Sequence, residues 1–309
     1  EEDVLRGTKK NKGISEARQV ATYLIRKLTN LSLPDIGKEF SRDHTTILHG
    51  IRKVEAALKA GDFDSFLQNV EWGREPQKKF YMPRRKQLKM VVDALQELAD
   101  DKLDLLAISM PPGVGKSTLA IFYMTWLAGR NPDDPILTGS HSNSWVRGAY
   151  DECLRIIDPN GEYLWHDVFP AVQLSSTNAK DCRIDLGKRK RFESLQFTSI
   201  GTGNAGLYRA MQLLYCDDLV SGIEVAMSKD RLDKLWEIYN TDLRQRKIGH
   251  CKELHISTRW SRVDIVGRLE EEYGESDRAK FIVMTALDES DESNFDYPYG
   301  VGFTTQFYH

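Results

Sequence analysis

The stretch "SMPPGVGKSTLA" (109–120) joins an apolar run, "LDLLAISM" (103–110), to an apolar helical segment, "TLAIFYMTWLA" (118–128). A glycine-containing loop between a buried strand and a helix turns backbone N–H groups and the positive end of the helix dipole toward an anion. The context therefore predicts a loop that binds the phosphates of a nucleotide. The predicted nucleotide contacts are Gly113, Gly115, Lys116, Ser117 and Thr118.

The roles of two loop residues follow from their chemistry. Lys116 is predicted to be catalytic and to reach the β- and γ-phosphates of ATP, and Ser117 is predicted to ligate Mg²⁺. The loop differs from the usual pattern at Met110, which stands where the first glycine normally lies. The alternative is a surface turn that binds nothing, and the flanking strand and helix favour the phosphate loop.

A second apolar run, "QLLYCDD" (212–218), ends in two carboxylates. Asp217 is predicted to hold Mg²⁺ through water. Asp218 is predicted to orient or deprotonate the attacking water, and Glu224 is its replacement as base if Asp218 is not needed. The alternative is a solvated strand end with no catalytic role.

Further short apolar runs alternate with helical stretches, which is typical of a parallel α/β sheet. They cover 135–140, 194–200, 253–258 and 280–287. We therefore expect an α/β fold of the P-loop NTPase type, with a mostly parallel sheet flanked by helices. It is preceded by a small all-α helix-turn-helix domain. The predicted boundaries are 1–60 for the helical domain, 61–83 for a linker or docking segment, and 84–309 for the ATPase domain.

The helical domain is predicted from three segments with a tight middle turn. The first, "EARQVATYLIRKLT" (16–29), has Val20, Tyr23, Leu24, Lys27 and Leu28 at helical spacing, and most of these are apolar. In the second, "NLSLPDIGKEF" (30–40), Ser32 can cap the helix, while Ile36 and Phe40 face inward. In the third, "SRDHTTILHGIRKVEAAL" (41–58), one side carries Ile47, Ile51, Val54 and Leu58.

Composition narrows the class of protein. The chain has 309 residues and 40% hydrophobic content, enough for one large core and a small satellite domain. The net charge is −3, but residues 1–60 hold 12 Lys and Arg against 8 Asp and Glu, which indicates local contact with nucleic acid. Four cysteines without a Cys-x-x-Cys pair argue against zinc and fit a reduced cytoplasm. No apolar stretch reaches the roughly 18 residues of a membrane span.

Three motifs resemble, in order and spacing, the ATPase domain of phage terminase large subunits over about residues 80–290. They are "MPPGVGKS", "TSIGTGNAGLYRAMQLLYCDDLVSG" and "ISTRWSRVDIVGRL". The resemblance implies ATP hydrolysis with Mg²⁺ that drives double-stranded DNA into a procapsid in the host cytoplasm. It also implies a homo-oligomeric ring, a portal or procapsid partner and possibly a small terminase subunit. A nuclease is expected only in the full-length protein, because the chain stops about where that domain would begin.

The same resemblance assigns further residues. Ser257 and Thr258 match the coupling motif, and Gln87 in "YMPRRKQLKMV" matches the adenine contact. Many relatives place a catalytic arginine in the phosphate loop, which here reads Pro-Pro-Gly-Val. Arg147 is therefore expected to be a finger supplied to a neighbouring subunit, with Arg209 as its rival.

The segment "SLPDIGKEFSRDHTTILHGIRKVE" (32–55) resembles the C-terminal DNA-binding domain of the replication initiator DnaA. A helix N-terminus with these side chains can present donors, acceptors and methyl groups to the major groove, although the same residues could simply cap the helix. The resemblance places an arginine in the minor groove at Arg18 and phosphate contacts along the module. The predicted DNA-binding residues are Arg18, Lys38, Arg42, Asp43, His44, Thr45, Thr46 and Lys53.

Three functions remain open from the sequence. The first is a packaging motor fused to a module that reads a DNA site. The second is a DNA-binding regulator that a nucleotide switches, and the third is a helicase-like remodeller. The paired carboxylates and Lys116 favour hydrolysis over a switch, and the "STRW" motif favours a motor over a helicase.

Overall fold

The computed structural model describes residues 12–201 and 206–309, and its centre is an eight-stranded sheet in the order β3-β4-β5-β2-β6-β7-β1-β8. The strands are β1 (Leu105–Ser109), β2 (Ile136–Ser140), β3 (Leu174–Asn178), β4 (Arg183–Leu186), β5 (Leu195–Ser199), β6 (Leu213–Asp217), β7 (Lys252–Ser257) and β8 (Ala279–Val283). Neighbouring strands are parallel except for the pairs β3–β4 and β4–β5. The predicted fold class is confirmed.

The helices precede the sheet, connect its strands or, in the case of the last one, follow it. They are α1 (Lys12–Leu28), α2 (Leu33–Glu39), α3 (His44–Ala60), α4 (Phe63–Val70), α5 (Tyr81–Ala99), α6 (Lys116–Arg130), α7 (Asn143–Ile157), α8 (Trp165–Val168), α9 (Ile223–Ala226), α10 (Lys229–Ile238), α11 (Ile265–Tyr273) and α12 (Thr305–Tyr308). After α10 the chain continues as a π-helix over Tyr239–Leu243 and a 3₁₀ turn over Arg244–Arg246. Within the described residues, no helix is both long and apolar enough to cross a lipid bilayer.

Four strands of the parallel part, β1, β2, β5 and β6, are buried at every position. Their burial at every position follows from helices covering both faces of the sheet. The pattern of the sequence missed β3 and β4 at the sheet edge. β3 is mostly exposed and polar, so it shows neither the buried run nor the alternation that indicates a strand.

The range 61–83 contains α4, which packs into the main core. Its side chains Phe63, Phe66, Leu67 and Val70 are fully buried. The Phe63 ring lies 5.1 Å from the Tyr123 ring and 5.3 Å from the Trp126 ring of α6, centroid to centroid. Of the two interpretations of this range, the packing favours a docking segment over a linker.

The turn between α2 and α3 is as tight as the helix-turn-helix prediction requires. Ser32 caps α2 by accepting a hydrogen bond from the Asp35 N–H at 3.4 Å. A Cβ atom on Gly37 would lie 2.6 Å from the Arg42 carbonyl oxygen, so a larger residue would push the turn apart. The small core beneath the turn consists of Ile36, Phe40, Ile47 and Ile51.

The predicted apolar face of α1 is wrong in detail. Tyr23 packs on the small core as predicted, together with Ala21 and Ile25. Val20 and Leu24, however, are each 46% exposed and Leu28 is 79% exposed. A core of four buried side chains is too small to cover more than one narrow stripe of α1. Residues 1–11 of the predicted domain and the side chain of Leu58 lie outside the described part of the chain.

Candidate nucleotide site and nucleic-acid interface

The carboxyl ends of the parallel strands form a cleft of about 440 Å³ at one edge of the sheet. Strand β7 lies between β1 and β6, so Thr258 after β7 stands between the loop after β1 and the carboxylates after β6. The cleft brings together these predicted residues: Gly113, Gly115, Lys116, Ser117, Thr118, Asp217, Asp218 and Thr258. It also contains Trp260 of the "STRW" motif and three residues that the sequence did not indicate: Ser140, His141 and Trp145.

The loop backbone depends on glycine at two positions. Gly113 has φ +77° and Gly115 has φ +102°, which side chains with a Cβ rarely adopt. Met110, at the position expected for a glycine, is buried in the core, and its carbonyl accepts a hydrogen bond from Lys116 Nζ at 3.1 Å. The loop therefore tolerates methionine there because the side chain points into apolar packing.

Lys116, Asp218 and Thr258 form one contact network. The buried Lys116 Nζ lies 2.7 Å from Thr258 Oγ1 and 3.5 Å from Asp218 Oδ2. The Thr258 N–H donates to Asp218 Oδ1 at 2.8 Å. Asp218 adopts φ +35°, an uncommon conformation that its N–H bond to the Ile256 carbonyl and its carbonyl contact with His141 hold in place. The arrangement fixes a carboxylate beside a buried cation.

Asp217 is buried directly beside Ser117. The pKa of Asp217 is raised to about 7, chiefly by burial and also by the negative charge of Asp218, against the lowering effect of hydrogen bonds from the Tyr215 and Ser117 hydroxyls. A carboxylate next to a hydroxyl at a phosphate loop is the ligand pair that Mg²⁺ uses in such sites. The residues present therefore fit Mg²⁺, whose charge would favour the ionised form of Asp217.

On the side of α5, the structure brings Arg84 rather than Gln87 to the loop. The Arg84 guanidinium lies between the Phe80 and Tyr297 rings, 5.0 and 5.1 Å from their centroids, and its Cδ is 3.5 Å from the position of a Cβ on Gly115. Gln87 lies outside the cleft, although its Oε1 is buried without a hydrogen-bond partner among the described residues. The buried Ser257 hydroxyl likewise has no hydrogen-bond partner among the described residues.

The two candidate arginine fingers lie outside this cleft. Arg147 of α7 is exposed and donates a hydrogen bond to the Ala179 carbonyl. Arg209 lies over the Phe192 ring, 5.5 Å from its centroid. The rival base Glu224 also lies outside, with a side chain that is 88% exposed and 3.8 Å from Arg231. Of the two candidate bases, Asp218 lines the cleft and Glu224 does not.

At the start of α3, Asp43 caps the helix. Its carboxylate accepts hydrogen bonds from the Thr46 N–H and hydroxyl, each at 2.8 Å, and from the Thr45 hydroxyl. The bond from Thr45 and those from Thr46 hold the Asp43 pKa well below its usual range. His44, Thr45 and Thr46 are exposed, so the imidazole and the threonine methyl groups face solvent while the Asp43 oxygens are used within the chain.

Arg18, the predicted minor-groove contact, is mostly buried. It is only 8% exposed, in a cleft between α1 and α3 that Arg42, Thr46 and His49 also line. Direct packing of α1 on α3 buries it. At the same contact, the Gln19 Cγ lies 3.2 Å from the position of a Cβ on Gly50. Lys38 and Lys53, by contrast, are exposed as expected.

The fold and site define an α/β protein with a glycine-containing loop between β1 and α6 at the carboxyl ends of the strands, preceded by a helix-turn-helix. Residues 1–54 match the family described as bacterial dnaA protein helix-turn-helix. The chain is 50% identical over 54 residues to the chromosomal replication initiator protein DnaA of Thermoanaerobacter sp. (strain X514) and of Thermoanaerobacter pseudethanolicus, over 18% of this chain and 12% of each relative. The same protein of Mycobacteroides abscessus is 50% identical over 54 residues, 11% of its length.

The predicted likeness of the N-terminal segment to DnaA is therefore confirmed, over about an eighth of the length of these curated relatives. Among solved structures, the chain is similar to the crystal structure of the HK97 bacteriophage large terminase. The TM-score is 0.47 at 10% identity, over 74% of this chain and 44% of that one.

Proposed function

We propose that this chain is the ATP-hydrolysing motor of a viral DNA-packaging terminase, with an N-terminal module that reads duplex DNA. The observation that supports it most is the network of Lys116, Asp218 and Thr258 in a cleft whose loop has the backbone of a phosphate site. A cation for phosphate charge, a carboxylate for water and a residue that contacts both are the parts that hydrolysis requires.

The chain's own residues suggest how hydrolysis is coupled to movement. ATP supplies the phosphoryl group that is transferred. Ser117 and Asp217 would hold Mg²⁺, which would supply positive charge against the phosphate oxygens. When Lys116 turns toward a phosphate, its contact with Asp218 is lost, and that carboxylate becomes a stronger base for water. Thr258 bonds to both side chains, so the end of β7 moves with this exchange. In this proposal Ser257 and Thr258 form the coupling motif.

The remaining parts of the proposal concern groups outside the cleft. Gln87 contributes its buried, unpartnered Oε1 to the adenine. Arg147 completes the site of a neighbouring subunit in a homo-oligomeric ring. The ring works with a portal or procapsid, and possibly a small terminase subunit, in the host cytoplasm.

The roles of the two carboxylates can be separated by isosteric variants. Asp218→Asn is expected to bind nucleotide within a few-fold of the unmodified protein and to lose turnover by about 10²–10⁴, because the amide cannot take a proton from water. Asp217→Asn is expected to raise the Mg²⁺ concentration needed for half-maximal rate. Phosphate release across an Mg²⁺ titration and fluorescent-nucleotide binding measure both effects.

Glu224→Gln is the matched control, since this acid follows the same strand but lies outside the cleft. It should keep the rate of the unmodified protein. Loss of turnover in Glu224→Gln with normal turnover in Asp218→Asn would transfer the role of base to Glu224. Normal turnover in all three variants would place the base at another residue. No turnover in the unmodified protein with DNA present would favour the nucleotide-switched regulator.

Base reading by α3 is tested on the whole chain with duplexes selected from a random library. His44→Ala or Thr45→Ala should lose about 1–3 kcal/mol on the selected site and little on random DNA. Lys53→Ala should weaken both duplexes alike and reduce the salt slope by about 0.9. Fluorescence anisotropy over a salt series gives these values. Equal losses on both duplexes for His44→Ala would show that α3 does not read bases.

A further inference from the structure

The loop between β4 and β5 carries the longest uninterrupted run of basic residues in the chain, Lys188-Arg189-Lys190-Arg191. The surrounding residues 61–309 are acidic overall, with 31 Lys and Arg against 38 Asp and Glu. β4 and β5 pair antiparallel, so the loop is the tip of a hairpin near the edge of the sheet. We call residues 187–194 the basic hairpin.

One of the four cations is used to build the basic hairpin. Lys190 Nζ lies 2.7 Å from the fully buried carboxylate of Asp185 and donates to the Leu186 carbonyl at 2.8 Å. Ser194, at 3.1 Å from the same amine, donates its hydroxyl hydrogen to the Pro132 carbonyl at 2.6 Å. The loop is therefore fixed by Lys190, and its other cations are not needed to hold it.

The other three cations, Lys188, Arg189 and Arg191, are exposed, and within the described residues no carboxylate lies within 4.0 Å of them. The guanidiniums of Arg191 and Arg209 lie 5.3 and 5.5 Å from the centroid of the Phe192 ring. Stacking on the ring restricts two planar groups whose fork of donors matches phosphate oxygens. The hairpin is a preorganised cationic surface with Arg209 at its flank.

These cations lie too far from the nucleotide cleft of their own subunit to bind phosphates there. The basic hairpin precedes β5, whereas the far end of β5, Ser199, pairs with Ser140 at the nucleotide cleft. Strand β5 has five residues, so its two ends, one at the basic hairpin and one at the nucleotide cleft, lie about 15 Å apart. The ligand is therefore a different polyanion.

We infer that the basic hairpin is a second contact for double-stranded DNA, which binds backbone phosphates without reading bases. The inference rests on the proposed function for the choice of duplex DNA as the polyanion. A rigid row of unpaired lysine and arginine side chains is how proteins bind the DNA backbone irrespective of sequence. The helix-turn-helix would select a DNA sequence, and the basic hairpin would bind the backbone of any duplex that lies against it.

The test is the triple variant K188Q/R189Q/R191Q, which keeps Lys190 and therefore the loop. Binding to a 30-base-pair duplex without the selected site is measured between about 50 and 200 mM salt. Each phosphate contact adds about 0.9 to the slope of log affinity against log salt, so the triple variant should lose a slope of about 2–3. Over that salt range, the unmodified protein should lose about 40-fold more affinity than the variant.

The matched control is K86Q/K102Q/K234Q, which removes the same charge from three exposed lysines elsewhere. Its slope should change by less than about 1. An unchanged slope in K188Q/R189Q/R191Q would overturn the inference, and so would equal losses in the two triples, which would reveal a net-charge effect. ATP hydrolysis without DNA should be the same in both triples. A chain that fails to hydrolyse ATP but shows the slope difference would overturn the motor and leave the hairpin in place.

Discussion

The Lys116→Ala variant is expected to hydrolyse ATP at least ~10³-fold more slowly than the unmodified chain. The lysine is the only cation lining the cleft within the described residues, and it is nearly enclosed by protein, where a charge acts strongly on a developing negative charge. Its removal also leaves the Asp218 carboxylate without its cation. Steady-state phosphate release with saturating ATP and Mg²⁺ measures the loss.

Lys86→Ala, on the exposed face of α5, is the control for a general effect of removing a lysine. Because Lys116 is buried, the melting temperature must be measured beside the rate. Lys116→Arg keeps the positive charge but moves its position. This variant should therefore fold like the unmodified chain and yet hydrolyse ATP slowly, as Lys116→Ala does. If Lys116→Ala hydrolyses ATP at a rate within a few-fold of the unmodified chain, the loop that contains Lys116 has no catalytic role.

Arg147 should act across a subunit boundary. The phosphate loop contains no arginine, and Arg147 lies outside the cleft of its own subunit, bonded to the Ala179 carbonyl. An arginine supplied by a neighbour is worth about 10³–10⁵ in rate, or about 4–7 kcal/mol of barrier. Activity per subunit should therefore rise with protein concentration and collapse in assembled Arg147→Ala.

Mixing variants tests the direction of this contact. A Lys116→Ala subunit cannot turn over but still offers Arg147 to an Arg147→Ala neighbour, so the mixture should recover activity that neither variant has alone. Arg155→Ala, on the same helix but paired with Glu152, should behave like the unmodified protein. Full activity of assembled Arg147→Ala would exclude this arginine and direct attention to Arg209.

The sequence revealed those parts of the site that are local in the chain. The loop from Met110 to Ser117 is predicted because strand, glycines and helix are contiguous. The position of Arg84 could not be predicted from the sequence, because it depends on a contact with Tyr297, more than two hundred residues later in the chain. Likewise β3 has no apolar run, and α1 has apolar residues on both sides, so only tertiary packing decides which face is buried.

The junction between the helical unit and the sheet has a mechanical consequence. Helix α3 ends at Ala60 and α4, which is locked into the core, begins at Phe63, so two residues separate them. So short a connection reaches only about 10 Å. The 17 residues of α3 add about 26 Å to its far end at His44. A duplex bound at His44 would therefore stay within about 36 Å of the sheet domain, which is about one helical turn of DNA. The short connection leaves the bound duplex little freedom to move away from the sheet domain.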